Sequence, residues 1–366
     1  MNLPLFVAGS LLGLTGITAV QPVDAQTPEA DRALYERACA ACHGADGTGT
    51  PQSQLGFDTS VPDFTDCSFA SREPDADWIA VAHQGGPVRG FAPEMPAFGE
   101  ALMEGELQQI MNHIRTMCGD DDWPRGELNL PRPIYTEKAY PEDEAVVTSM
   151  VDVEGSGAVM NEIVYEHRLG ARNQIEIVAP FGFREGADRW SGGGLGDVAF
   201  GIKRALRHSV ESGRIFSLAG EVILPTGDAD RGFGAGTTRL EPFASFGQIL
   251  PADAFLHLQG GAEIPLGRET VPDEAFWRAA IGRTFTQGRW GRAWSPMVEM
   301  LGSRAFADDA TTHWDLVPQM QVTLNTRQHV MANVGVRLPL GDPGRDTQVV
   351  VYILWDWFDG GFFEGW

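Results

Sequence analysis

Two spacings of apolar residues divide the chain. In the first third they recur at helical intervals. Leu107, Ile110, Met111 and Ile114 stand at i, i+3, i+4 and i+7 and form one stripe on one helix face, with Gly119 after Cys118 as a stop. Leu34-Tyr35 and the cysteines that follow share near-helical spacing, and Gly44-Ala45-Asp46-Gly47-Thr48-Gly49 ends that helix. Beyond Val146 the period becomes two. Trp314, Leu316, Pro318, Met320, Val322 and Leu324 are apolar on one parity, against Asp315, Gln319, Gln321 and Thr323 on the other. Val330 to Leu340 repeats the pattern against Asn333 and Arg337, as does Val349 to Trp357 against Gln348 and Asp356. Period two held over roughly ten residues predicts transmembrane strands. A soluble sandwich would give shorter strands and a less uniformly apolar face.

About twelve such segments fit between Val146 and Phe358, an estimate that follows from strands of roughly ten residues. Gly170-Ala171-Arg172, Pro251-Ala252-Asp253 and Thr326-Arg327-Gln328 read as short turns, whereas Glu185 to Gly193 and Thr226 to Thr237 read as long loops. That alternation predicts a closed antiparallel barrel with both ends at its short-turn, periplasmic mouth. The parity opposite the apolar one includes Glu176, Asp197, Lys203, Glu221, Glu263, Glu299, Asp315, Arg337 and Asp356, so the lumen is either a hydrated channel or a salt-bridged plug. Residues 120–145, with Asp120-Asp121-Asp122 and Pro124, Pro131, Pro133 and Pro141, read as a linker without packed structure. The expected order is a signal peptide over 1–25, a helical domain over 26–119, the linker over 120–145 and the barrel over 146–366. His167, His257, His313 and His329 read as strand or turn residues rather than ligands.

Charge and leader narrow the setting. The formal charge is −23, and 18 acidic against 6 basic residues stand between Gln26 and Glu127. Such a surface repels nucleic acid and anionic headgroups and suits a redox partner with a basic face; solubility alone accounts for it equally well. The apolar run from Leu3 to Val20 ends near Val23-Asp24-Ala25, a small-residue site that predicts cleavage on export. No lysine or arginine precedes the run, so an uncleaved anchor is the alternative.

Cys39-Ala40-Ala41-Cys42-His43 carries the chemistry. C-x-x-C-H is the attachment site of c-type haem: two thiols add to two vinyl groups and the histidine lies beneath the iron. Zinc would need a second ligand pair, and a redox dithiol would need a βαβ setting; the surroundings supply neither. One such motif predicts one covalent haem c. The sixth ligand must come from Met95, Met103, Met111, Met117, His83 or His113. Met111 sits on the apolar stripe as core filler, whereas Met95 follows the Gly85-Gly86-Pro87 loop, which can carry a side chain across the haem. His83 is the runner-up. With haem occupying two cysteines, Cys67 and Cys118 are left either as a disulfide or as two buried thiols.

Leu34-Tyr35, Cys39-x-x-Cys42-His43-Gly44, Met95-Pro96-Ala97-Phe98-Gly99 and the final amphipathic helix resemble a class I cytochrome c, a small all-α fold whose first and last helices cross beside the haem. The resemblance implies His43 and Met95 as axial iron ligands and covalent attachment outside the cytoplasm. Gly194-Leu195-Gly196-Asp197 and the strand after it resemble the outer-membrane family of MetA-pathway phenol-degradation proteins, which implies a barrel and no particular substrate. The layout is distantly similar to cytochrome–porin fusions, although the haem domain here is full-length and a long segment separates it from the barrel. The terminal Trp366 resembles a barrel assembly signal. These features imply a single-electron carrier in the outer membrane, with its haem domain in the periplasm and lipid around its barrel. The rival reading is an outer-membrane transporter of an unknown small molecule whose cytochrome serves a periplasmic oxidoreductase.

Overall fold

The computed structural model describes residues 27–153, 157–185, 190–267, 272–342, 344–358 and 360–365. The expected signal peptide and the terminal Trp366 lie outside the described residues. The helical part comprises α1 (Pro28–Ala38), α2 (Ala40–His43), α3 (Cys67–Ala70), α4 (Asp75–Gln84) and α5 (Glu104–Arg115). Thr27 caps α1 by accepting the Ala30 N–H, and Pro28 takes the first helical position, where its missing donor costs nothing. The predicted stripe on α5 is the core: Leu107, Ile110, Met111 and Ile114 are buried against Leu34 and Tyr35 of α1.

The remainder is one antiparallel sheet closed on itself. Its segments are β1 (Glu144–Asp152), β2 (Val159–Leu169), β3 (Asn173–Glu185), β4 (Trp190–Leu195), β5 (Ala199–Ser209), β6 (Arg214–Ile223) and β7 (Arg239–Leu250). They continue with β8 (Ala254–Pro265), β9 (Glu274–Arg283), β10 (Phe285–Thr286), β11 (Ala293–Ala305), β12 (His313–Thr323), β13 (Val330–Leu340) and β14 (Gln348–Asp356). β4 and β5 both pair with β3 as two pieces of one barrel strand, and β10 is a short extension beside β11, so twelve strands circle the barrel. Pairing of β1 with β14, from Glu144 opposite Asp356 to Asp152 opposite Gln348, closes the ring and removes its edges. The predicted parities hold. Ile163, Ile202, Leu218, Ile281, Val334 and Val351 are exposed on the outside, whereas Gln319, Gln321, Asn333, Val350 and Tyr352 are buried within.

Asp197 departs from the expected inward set. It lies between β4 and β5, where its carboxylate accepts the Gly227 and Ala235 N–H groups at 3.0 and 2.8 Å and pairs with Arg239 at 3.3 Å. An added Cβ on Gly194 would meet the Phe233 ring, and one on Gly196 would meet Pro180 first and then the Phe233 carbonyl, so the Gly194–Asp197 motif seats the long loop that follows β6.

The expectation of an unpacked linker is corrected. The segment after α5 enters the barrel from the short-turn end and returns to start β1. Arg132 pairs with Glu144 at 2.6 Å, Glu166 at 2.9 Å and Glu137 at 3.3 Å. Lys138 pairs with Glu142 and, at 3.2 Å, with Glu144. At the tip, the Glu299 carboxylate of β11 accepts the N–H groups of Ile134, Tyr135 and Thr136 at 2.7, 3.1 and 2.8 Å and the Thr136 hydroxyl at 2.7 Å. Successive N–H groups converging on one anion form a nest. Gln259 accepts the Glu137 N–H, Arg278 donates to the Tyr135 carbonyl, Gln321 and Tyr352 donate to the Arg132 carbonyl, and His257 bonds the Pro131 carbonyl, so this backbone is held by lumen side chains instead of in helix or sheet. Periodicity cannot register such a segment.

The filled lumen makes the inner face intolerant of added charge at its packed positions. Asn333 is buried and bonded to Gln319 at 2.8 Å, so Asn333→Arg should disrupt packing as Val334→Arg disrupts the lipid face. Val334→Arg should cost roughly 2–4 kcal/mol near the midplane in folding titrations into lipid. Glu299→Ala strands the Tyr135 and Thr136 N–H groups, since Ile134 N–H keeps Gln319 at 3.1 Å, at about 1–3 kcal/mol per unsatisfied group. It should expose the plug to protease at residues 132–137 while leaving the barrel heat-modifiable on gels.

Candidate functional site

The site begins with a kink. At Cys39 (φ −119°) α1 gives way to the single turn of α2, and the Cys42 and His43 N–H groups return to the Cys39 carbonyl at 3.2 and 3.0 Å. This turn carries both thiols and the imidazole. Gly44 stops it at φ +75°, a conformation that favours glycine, and the Gly49 and Thr50 N–H groups bond the His43 and Cys42 carbonyls. The Tyr35 hydroxyl donates to the Gly44 carbonyl at 2.7 Å and fastens the turn to α1. Both thiols are free of disulfide.

Met95 arrives by a second device. Gly85 (φ +86°) and Gly86 end α4, and the Gly86 N–H bonds the Met95 carbonyl at 3.0 Å. A Cβ on Gly86 would stand 2.2 Å from the Ala92 carbonyl oxygen, so glycine alone lets the 92–97 loop lie against the helix end. Phe98 and Gly99 N–H groups then bond the Ala82 and His83 carbonyls.

Cys39, Cys42, His43 and Met95 line one cavity of about 570 Å3, walled by Phe64, Trp78, Leu107, Ile110 and Met111. Of the other candidates, Met111 also lines the cavity, as part of the α5 core stripe. His83 leans on Trp290 at 5.6 Å, Met103 is exposed, and Met117 packs near Gly47. His43 stacks on Phe64 at 4.9 Å, and its Nδ1 is buried without a hydrogen-bond partner. Burial pushes its imidazole down to about 4, so it is neutral at pH 7, as a metal donor must be. Burial, then the neighbouring Cys42, pushes the Cys39 thiol up to about 11. The cavity's size, its apolar walls and its two thiols, imidazole and thioether fit a covalently bound haem.

Cys67 and Cys118 are joined, which ties the start of α3 to the segment after α5. Burial would raise Asp75, but Arg115 and Arg125 beside it hold its carboxyl below the usual range. The Arg115 pair joins α5 to α4, and the Arg125 pair, together with the Gly126 N–H on the Ser71 carbonyl, binds the helical domain to the start of the plug.

Sequence reasoning missed the contact of this domain with the barrel. Arg72 pairs with Asp143, Glu73 with His329 at 2.7 Å, and Arg89 donates to the Trp290 carbonyl at 2.6 Å. Trp290 and His329 belong to short turns, so the helical domain sits on the short-turn mouth. No periodic signal marks such pairs. The basic residues of an otherwise acidic domain were the available clue.

Residues 26–114 match the family described as cytochrome c oxidase, cbb3-type, subunit III. No curated protein matches the chain. Among solved structures, an outer membrane channel from Pseudomonas putida F1 is 13% identical with a TM-score of 0.43, covering 62% of this chain and 99% of its own. The KdgM porin is 8% identical (TM-score 0.40; 58% of this chain, 98% of its own), and the NanC porin is 10% identical (TM-score 0.42; 57% and 97%). The helical domain is therefore of the c-type cytochrome class, and the chain joins it to a closed twelve-stranded antiparallel barrel.

Replacing both Cys67 and Cys118 with alanine should lower the stability of the helical domain by roughly 3–4 kcal/mol, the closure entropy of a loop this long. Urea unfolding of the full chain, followed by absorbance at the cytochrome, reads the loss.

Proposed function

We propose that the protein is a single-electron carrier of the outer membrane, with one haem c held at the periplasmic, short-turn mouth of a plugged barrel. The observation that carries this reading is the convergence of Cys39, Cys42, His43 and Met95 on one apolar cavity. Cys39 and Cys42 would hold the haem through thioethers, and His43 and Met95 would fill the axial positions. The bound group supplies a one-electron couple. The chain supplies the apolar walls that exclude water and the weak thioether donor, which raises the potential relative to a bis-histidine site. With both axial positions taken, no site remains for substrate, which supports electron transfer over oxygen chemistry.

The barrel anchors this carrier. Its exposed apolar outer face suits lipid, and the segment 128–143 inside it supports an anchor over a channel. The 18 acidic against 6 basic residues between Gln26 and Glu127 favour a soluble partner with a basic face.

The purified protein should contain one haem that survives acidic acetone and disappears in C39S/C42S. Met95→Ala should abolish the weak sulfur-to-iron band of the ferric form and open the iron to carbon monoxide, whereas Met103→Ala and Met111→Ala should not. An unchanged spectrum in Met95→Ala would overturn the ligand assignment. In planar bilayers the wild type should pass no steady current. Steady conductance would favour the transporter reading.

A further inference from the structure

The cavity wall opposite the helical core is built by the barrel. Arg327 and His329 of the β12–β13 turn, and Phe358 and Glu364 after β14, line the same cavity as Cys39, Cys42 and Met95. The inference rests on the covalent haem proposed above. Thioethers to Cys39 and Cys42 would use the vinyl groups of the macrocycle, which would leave its two carboxylates to be met by other residues of the cavity. That pair is dianionic and needs donors when it is buried. Among the described residues, and apart from the histidines, the cationic side chains on the cavity wall are Arg89, from the helical domain, and Arg327, from the barrel. Arg327 reaches the segment that follows Arg89: it donates to the carbonyl of Gly90 at 3.0 Å, and its guanidinium lies 4.7 Å over the Phe91 ring. Arg89 is buried, paired with Asp77 at 2.7 Å and bonded to the barrel's Trp290 carbonyl at 2.6 Å. Glu364, 2.9 Å from Arg327, carries an opposing charge beside it, and Glu73, Asp77 and Glu94 also line the cavity.

We infer that Arg327 of the barrel binds a haem carboxylate beside Arg89, so that the barrel completes the haem site and sets part of its reduction potential. A cation at the carboxylate edge disfavours the more positive ferric state, and an anion beside that cation favours it. The two charges should therefore move the potential in opposite directions.

The test is a spectroelectrochemical titration of the full-length protein in detergent, comparing wild type with Arg327→Gln, Arg327→Lys and Glu364→Gln. Arg327→Gln should shift the oxidised-to-reduced ratio at fixed potential threefold to tenfold toward oxidised, tenfold being about 59 mV for one electron. Glu364→Gln should shift it the other way, and Arg327→Lys should stay near wild type. The axial-ligand bands should be unchanged in all three. Should Arg327→Gln fail to fold, the upward shift in Glu364→Gln still decides. Unchanged potentials with intact haem bands, or shifts of the same sign in Arg327→Gln and Glu364→Gln, would overturn the role of Arg327 while leaving the haem assignment standing. A protein without covalent haem would overturn both.

Discussion

The course of the chain between its two domains depends on how a closed barrel satisfies the charges it buries. An antiparallel ring in lipid leaves no free backbone edge, but its inner face still carries Glu144, Glu166, Glu299 and their neighbours away from bulk water. Arg132 answers two of these carboxylates and three backbone donors answer the third. Both sets of partners come from the segment that leaves the cytochrome. Once that segment is held in the lumen, the helical domain has little freedom, because Arg125, Gly126 and the disulfide fix its end immediately beside the plug. The position of the cytochrome at the mouth is thus a consequence of electrostatics inside the barrel.

The two halves were legible in the sequence for the same reason: each buries a periodic face. Leu107 to Ile114 repeats at the helical period, and Val349 to Trp355 at the strand period, so element type and orientation follow from solvent on each side. The haem motif was legible because its chemistry demands fixed spacing. Met95 was narrower in meaning, since several thioethers compete; in the fold Met95 and Met111 both line the cavity, Met95 from a loop and Met111 from the core stripe of α5.

What escaped was aperiodic. Residues 128–143 contain prolines and mixed charge and bond to lumen side chains more than a hundred positions away, as Ile134 does to Glu299 and Glu137 to Gln259. Arg327 and His329 read as ordinary turn residues until the fold brings them beside the cavity. Composition marks the segment as unlike helix or strand. It cannot distinguish a tether from a plug, because both lack a repeating apolar face.

With Arg72 on Asp143, Glu73 on His329 and Arg89 on the Trp290 carbonyl, the cytochrome sits on the barrel mouth instead of swinging on a tether. Pulsed dipolar spectroscopy between the ferric haem and a nitroxide on Glu211→Cys, in the exposed turn between β5 and β6, tests it directly. The native cysteines are occupied by haem or disulfide in this account, so the label site is unique. A single narrow distance distribution is predicted in detergent and in lipid; a broad distribution spanning many ångströms would contradict the account.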